Sequence, residues 1–286
     1  MTNISVLILT KNEQQDLPGC LESVTWSDDI HLFDSMSSDN TVKIAEKFGA
    51  TVTRKGYPDN NLIFGGDEAA HRNWGLKNIP FKYPWVFSID ADERATPELL
   101  AHLKRAVQDP GDNVAFRIRR RDYLFGTWLK HVQASPFYLR LIRPDKVSYQ
   151  RQINPVPLAS GAVGQIAGYL DHFPFSKGMS HWLDRHNAYS TLEAREILSK
   201  RKSAYDFSII RALTATDFHE RRAHQKALFY RIPFRPVMKF LLLYVVKRGF
   251  LDGRAGFTYA LLQSIYEYFI VLKVHELMVN KPISNN

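Results

Sequence analysis

The sequence predicts an α/β fold, a mainly parallel sheet with helices on both faces, followed by a helical region of different character. Three observations predict it. Over residues 4–119, short apolar runs alternate with segments that suit helices. Polar clusters follow the apolar runs directly, at Thr10-Lys11-Asn12-Glu13, Asp34-Ser35 and Asp90-Ala91-Asp92-Glu93. Ligands of parallel sheets sit beyond the carboxyl ends of the strands, so these clusters merit a functional reading. Last, the charge is polarised. Residues 1–175 carry 20 basic and 20 acidic side chains, whereas residues 176–286 carry 18 and nine, so the net charge of +9 lies in the last two-fifths of the chain.

The elements follow in order. Residues 4–9 read as a buried strand, 13–24 as a helix with Pro18 in its early turns, and 30–34 as a second strand. Ser38 or Asp39 caps a helix through Phe48, with Ile44, Ala45 and Phe48 on one face. Residues 50–54 form a third strand, 65–78 a helix, and 85–90 a strand that ends on the acidic cluster. Thr96 caps the next helix, with Pro97 at its first position, running to about Gln108. Residues 114–119 return as a strand. Residues 120–178, with several Gly and Pro, read as irregular loops and strands. Helices are expected over 180–200, 206–230 and 236–278, the last broken by the turn-rich stretch 249–256.

Composition narrows the class. With 45% hydrophobic and 23% charged residues the chain is globular, and 286 residues suffice for a sizeable core. The lone Cys20 excludes an internal disulfide and fits a reducing compartment. The apolar run after Met1-Thr2-Asn3 is too short, and too poor in basic flanks, for a secretory signal. No uninterrupted apolar run of about 18 residues exists, so an ordinary membrane-spanning helix is not expected.

Two carboxylates flanking a small residue at a strand end suit a hard cation, so Asp90-Ala91-Asp92 is a candidate site for Mg²⁺ or Mn²⁺. Such a cation would neutralise a departing diphosphate. Asp34 closes the second strand, where a carboxylate could accept a hydrogen bond from a base N–H; Ser37 to Asn40 serve as the helix-entry turn. Arg72-Asn73, on the 65–78 helix, could reach the same pocket. The plain alternatives are an ordinary acidic loop, a turn, and an exposed helical arginine.

Taken together the motifs resemble glycosyltransferase family 2. They are 5–10 followed by Asn12-Glu13; Phe33-Asp34-Ser35 with Ser37, Asp39 and Thr41; Arg72-Asn73-Trp74 with Leu76; and Asp90-Ala91-Asp92-Glu93. Arg140-Leu141-Ile142-Arg143, residues 169–190 and Gly249-Phe250-Leu251-Asp252-Gly253 resemble the bacterial branch near the lipopolysaccharide-core glucosyltransferases and exopolysaccharide glycosyltransferases. The resemblance implies a GT-A catalytic domain over 1–178, with a nucleotide-sugar half to about 118 and an acceptor half over 119–178. Residues 179–286 form a helical region that associates with a membrane or oligomerises.

The same resemblance implies the roles. Thr10, Asn12 and Glu13 line the nucleotide pocket, Asp34 and Arg72 contact the base, Asp90 contacts the ribose or the metal shell, and Asp92 ligates the metal. It implies an inverting hexosyltransferase that takes its sugar from a nucleotide diphosphate sugar, UDP-linked, and gives it to a lipid-linked saccharide or a lipopolysaccharide or exopolysaccharide acceptor. The place of work is the cytoplasmic face of a bacterial inner membrane, held peripherally. An inverting displacement needs one general base. Relatives in this branch carry a His-Glu pair where this chain has Ile153-Asn154-Pro155-Val156, and neither Asn154 nor Pro155 takes a proton at neutral pH. By position the candidates are Asp122 and His172; their plain roles are pairing with Arg119-Arg120-Arg121 and a loop hydrogen bond.

Two rival functions are weighed. A sugar nucleotidyltransferase needs a Gly-rich phosphate loop, and Thr10-Lys11-Asn12-Glu13 lacks the glycines. A non-catalytic, membrane-associated scaffold would account for Asn154-Pro155, but not for the intact Asp90 and Asp92. In the tail, Arg221, Arg222, Lys226, Arg231, Arg235, Lys239, Lys247, Arg248 and Arg254 interleave with Phe229, Tyr230, Phe234, Phe240 and Tyr244. Cations and rings together suit an anionic membrane surface. The alternative is helices packed on the catalytic domain or a second subunit. Nucleic acid is not an expected partner, because no nucleic-acid motif accompanies the patch.

Overall fold

The computed structural model describes residues 2–56, 67–133, 137–150, 155–202, 208–215, 221, 224–225, 228–230 and 234–279. The chain forms two compact units, Met1–Trp128 with Ala134–Gly178, and Leu129–Gln133 with Met179–Asn286.

The first unit is built on one sheet. In chain order its first half comprises β1 (Ser5–Thr10), α1 (Leu17–Ser23), β2 (Ile30–Asp34), α2 (Thr41–Lys47), β3 (Thr51–Arg54), α3 (Glu68–Asn78) and β4 (Val86–Asp90). Then follow β5 (Glu93–Ala95), α4 (Pro97–Gln108), β6 (Asn113–Leu124), β7 (Thr127–Trp128), β8 (Phe137–Ile142), β9 (Val147–Gln150), β10 (Val156–Ala159) and β11 (Ala162–His172). The strand order is β3-β2-β1-β4-β8-β6-β11-β5, with β7 on β6 and a separate β9–β10 ribbon. The first four strands are parallel. β8 runs antiparallel to β4 and β6, β11 is parallel to β6, and β5 is antiparallel to β11.

Period-two alternation splits the apolar side chains between two cores. Val6 and Ile8 of β1 join Leu17, Cys20, Ala45, Phe87, Leu99 and Leu103 on one face. Leu7 joins Phe33, Ala69, Leu76 and Val86 on the other. Helices therefore cover both faces, as the sequence predicts.

Several boundaries differ from expectation. The helix expected over 13–24 begins at Leu17, because Pro18 fits only a first turn; residues 13–16 are a turn closed on the Glu13 carbonyl. The strand expected over 114–119 continues to Leu124, and β11 runs for 11 residues within a region expected to be irregular. The run Arg119-Arg120-Arg121 hid the alternation. Ile118, Asp122 and Leu124 are buried along β6, and Arg120 between them is neutralised by Asp122 at 2.9 Å. Thr96 caps α4 as expected, its Oγ1 accepting from the Leu99 N–H at 3.2 Å. Asp67 caps α3, while Gly65, expected to open that helix, lies outside the described residues. Ile153, Asn154, His219, Arg222, Lys226 and Arg231 also lie outside them, as do 206–207, 216–220, 223 and 227 of the helix expected over 206–230. The described helix there is α6 (Ile209–Thr214).

The second unit is helical. It contains α5 (Gly178–Lys202), α6, α7 (Arg235–Leu241), a π turn over Leu242–Val246, a 3₁₀ turn over Gly249–Asp252, and α8 (Gly253–Val279). Ala194 and Ile197 of α5 pack with Ile270 and Val274 of α8. The Asp252 carboxylate accepts from the backbone N–H groups of His131 and Val132, at 2.9 and 2.8 Å, and pairs with the His131 ring at 2.6 Å. Gly249 is needed here. A Cβ would stand 2.7 Å from the Leu243 carbonyl and 3.0 Å from Val132.

Candidate active site

Register brings the predicted residues to one end of the sheet. Thr10 stands level with Asp34, and Leu9 with both Phe33 and Asp90. His172 stands level with Asp122 on one side and Glu93 on the other. All lie where β1, β2, β4, β6 and β11 end or turn, beyond which a parallel sheet holds its ligand.

The turn between β4 and β5 is built on buried charge. Arg140, on β8, reaches Asp90 Oδ2 and Glu93 Oε1 with one nitrogen, at 2.6 Å each. Arg72 lies 3.7 Å from Asp90 Oδ1, is held by Glu68 at 3.0 Å, and covers the Tyr149 ring. Glu93 also caps the turn internally, its Oε2 accepting from the Asp90 N–H at 3.0 Å. Below it, the buried Cys20 thiol donates to the Asp90 carbonyl at 3.5 Å. Burial opposes ionisation of both acids. At Asp90 the guanidinium groups of Arg140 and Arg72 overcome it and hold the carboxyl below its usual range. At the fully enclosed Glu93 burial prevails and pushes the carboxyl up.

Asp92 faces elsewhere. Its Oδ2 lies 3.2 Å from His172 Nε2, and the other ring nitrogen, Nδ1, lies 2.5 Å from Asp122 Oδ1. Arg120 holds Asp122 and approaches Glu93 at 3.6 Å. Burial would favour a neutral imidazole, but Asp92 and Asp122 together push His172 up to about 9. Three residues singled out in the sequence, Asp92, Asp122 and His172, thus form one chain of contacts.

The opposite wall is ordered by Asp34. It is fully buried and accepts from Thr10 Oγ1 at 3.0 Å, from the Ser37 N–H at 2.8 Å and from Ser37 Oγ at 2.5 Å, with Arg54 at 3.4 Å. These bonds fix the turn after β2. Asn12 takes a left-handed backbone (φ 56°), a conformation asparagine tolerates, and its Oδ1 accepts from the Ser38 N–H at 2.9 Å. Glu13 pairs with Lys177 at 2.7 Å, and Lys177 also donates to the Asn12 carbonyl at 2.9 Å. Burial pushes Glu13 up to about 7, against the pull of Lys177. His71, stacked on Phe33 at 3.9 Å and touching Ser35 Oγ at 3.1 Å, is lowered to about 4 by burial and by Arg72.

Arg140, Glu93 and Lys177 were not assigned roles from sequence, whereas Arg120 pairs with Asp122 as its run was expected to. Arg140 had a signal, since a charge inside the apolar run Phe137–Ile142 must be buried and paired. Lys177 had none, because its partner is more than 160 residues away. A cavity of about 580 Å³ opens at the amino ends of the strands, lined by Thr2, Tyr83, Trp85 and Lys104 among others. Lys104 is the single charged residue in its lining.

The chain resembles known proteins along most of its length. The chain is 26% identical over 280 residues to the lipopolysaccharide core biosynthesis glycosyltransferase LpsC of Rhizobium meliloti, covering 96% of this chain and 92% of that protein. It is 22% identical over 291 residues to an uncharacterised glycosyltransferase of Rickettsia typhi, covering 97% and 88%. Among solved structures, Staphylococcus aureus TarS aligns with 91% of this chain and 55% of its own, at 13% identity and a TM-score of 0.42. Glucosyl-3-phosphoglycerate synthase of Mycobacterium tuberculosis, solved with Mn²⁺ and UDP, aligns over 42% and 43% at 18% identity and a TM-score of 0.32. Residues 5–170, which carry every predicted site residue through Asp122, match the model of glycosyl transferase family 2, and the chain belongs to that family.

Proposed function

We propose that this glycosyltransferase moves a sugar, with inversion, from a UDP-linked donor to a lipid-linked saccharide of the lipopolysaccharide or exopolysaccharide class. The coarser part, a nucleotide-sugar donor and a saccharide acceptor, comes with the family. The observation that supports a cation-assisted transfer is the meeting of Asp92 with His172, beside an acidic turn whose other two carboxylates are held by Arg140.

A divalent cation fits there. Asp92 Oδ2 and His172 Nε2 are 3.2 Å apart, and adjacent ligands of an octahedral Mg²⁺ or Mn²⁺ lie roughly 3 Å apart. Asp122 on Nδ1 is the partner that fixes the tautomer of a metal-binding imidazole. In this reading Asp92 and His172 would hold the cation, whose binding would displace the His172 Nε2 proton to solvent, and Asp122 would orient His172, so both base candidates would take supporting roles. Among the described residues no group of three or more His, Cys, Asp or Glu could hold a metal, so donor phosphates complete the shell. The cation, when bound, offsets charge on the departing diphosphate. Arg72 and Arg140 keep Asp90 ionised and turned to the ribose side. Thr10, Asn12, Glu13 and Asp34 hold the loops that frame the nucleotide.

The acceptor class rests on the relative whose name places it in lipopolysaccharide core biosynthesis. It rests also on the basic excess of residues 176–286, which supports a peripheral place at the cytoplasmic face of an inner membrane.

The test is transfer or hydrolysis of UDP-sugars by the purified chain with Mn²⁺. Asp92→Ala should lower turnover about a thousandfold. Full activity in that variant would remove the metal assignment.

A further inference from the structure

We infer that residues 234–265 form a hairpin that inserts into the headgroup layer of an anionic lipid bilayer. This deepens the peripheral membrane placement proposed above and rests on it, but names the inserting element and puts apolar burial ahead of charge.

The first observation is a stripe on the wrong side. Phe234, Val237, Met238, Leu241, Val245 and Val246 recur at the three- and four-residue spacing of one helical face, and all are exposed, Phe234 at 80% and Val246 at 70%. The second arm repeats it. Phe257, Leu261 and Ile265 of α8 are exposed at spacings of four, and Phe250 and Leu251 are exposed in the turn between the arms. Isolated exposed apolar residues are ordinary, but a continuous set on two packed arms is not.

The exposure does not come from arms that fail to pack. Ser264 Oγ donates to the Pro236 carbonyl at 2.7 Å. Phe240 and Phe257 meet at 5.8 Å, and Tyr244 and Phe250 at 6.3 Å. One charged pair is enclosed between the arms, where Arg235 and Glu267 form a buried ion pair at 2.5 Å. Charge within and apolar surface without is the polarity of a protein in contact with lipid.

The exposed charges select the bilayer. Lys247, Arg248 and Arg254 are exposed at the turn end of the hairpin. The one acid between Phe234 and Tyr266 is Asp252, which is buried against the His131 and Val132 N–H groups. An anionic headgroup layer complements such a rim. A second copy of this hairpin does not, since a two-fold contact sets the same basic residues against each other. Among the described residues no helix is long and apolar enough to cross a membrane, so the hairpin lies in the interface.

The test is flotation of the full chain with two kinds of vesicle, phosphatidylcholine alone and equal parts phosphatidylcholine and phosphatidylglycerol. The wild type should float with the mixed vesicles. Leu242→Asp with Val246→Asp should weaken that partition by on the order of tenfold or more. Lys247→Glu with Arg248→Glu should abolish the preference for phosphatidylglycerol. Both pairs are exposed, and unchanged thermal unfolding checks the fold. As a second measurement, Val246→Cys carrying an environment-sensitive fluorophore should shift to the blue on mixed vesicles; Cys20 is buried and stays silent. The proposal is overturned if the wild type stays unbound. It is also overturned if the Asp pair floats as well as the wild type, or if lipid-free wild type sediments as a dimer that the Asp pair dissolves. Calorimetric titration with UDP and Mn²⁺ on the same preparations separates the two readings. Donor binding without flotation sinks the hairpin alone, and flotation without donor binding sinks the donor reading alone.

Discussion

In the sheet unit, Asp90, Glu93, Arg140 and Arg120 crowd the carboxyl ends of strands whose apolar side chains are largely enclosed. In the helical unit, Arg235 and Glu267 are enclosed while Val246 and Leu251 face outward. Both regions bury ion pairs, but to different ends. In the first, Arg140, Arg72 and Arg120 are shared among Asp90, Glu93 and Asp122, and Asp92 meets His172 where a cation is proposed to bind. In the second, a one-to-one pair closes on itself and leaves the surface to apolar and basic side chains. A buried ion pair is therefore no guide to function until the charges around it are balanced.

The comparison can be broken most sharply at Arg140. Replacing it with leucine leaves Asp90 and Glu93 together without their shared partner, and should cost about 3–5 kcal/mol in urea unfolding of the sheet unit. A loss below about 1 kcal/mol would mean the turn is held by its backbone alone. Arg235→Leu should cost somewhat less, about 3 kcal/mol, by stranding Glu267. Adding Glu267→Leu should recover most of it, because an apolar pair fits that setting. A double variant as unstable as the single would show that the ion pair itself is required.

Glu13 sharpens the contrast through pH. Its carboxyl is raised from 4.5 to about 7, first by burial and against Lys177. The folded state thus binds this proton more tightly than the unfolded state. The stability it contributes is fully present below about pH 4.5 and is lost as pH rises through about 7. Across that window the wild type should lose up to about 3 kcal/mol relative to Glu13→Gln, read from denaturant midpoints at each pH. Parallel curves for the two proteins would place Glu13 in water rather than in the pocket wall.

Much of the sheet was legible because its pattern is local. β1, β2 and β4 are apolar runs that end on polar clusters, and Thr96-Pro97 marks a helix start in two residues. The acceptor half was not, because its strands carry Arg119, Arg120, Arg121 and Asp122 where alternation should show apolar residues. Arg120 pairs with Asp122 within the strand, but Arg121 is neutralised across strands by Asp171 at 2.5 Å, which no single segment reveals. The site shows the same limit. Asp92 and His172 were each singled out, but their contact spans 80 residues and joins the turn before the edge strand β5 to β11, an arrangement set by register. In the tail, residues 240–246 were seen to be apolar nearly all round. Which side they faced is a property of packing against α8, not of the run itself.

The Asp252 carboxylate has a consequence for the order of synthesis. Its partners, the His131 and Val132 N–H groups, leave the ribosome some 120 residues before it. Until Asp252 emerges, the segment Leu129–Gln133 has its donors exposed and Val132 uncovered, although strands before and after it can already pair. A chain cut at residue 178 would keep that segment and lose its acceptor for good. Expression of residues 1–178 alone should therefore give a sheet with a loose, protease-sensitive loop at 129–133, and a boundary drawn by sequence would have created the fragility it revealed.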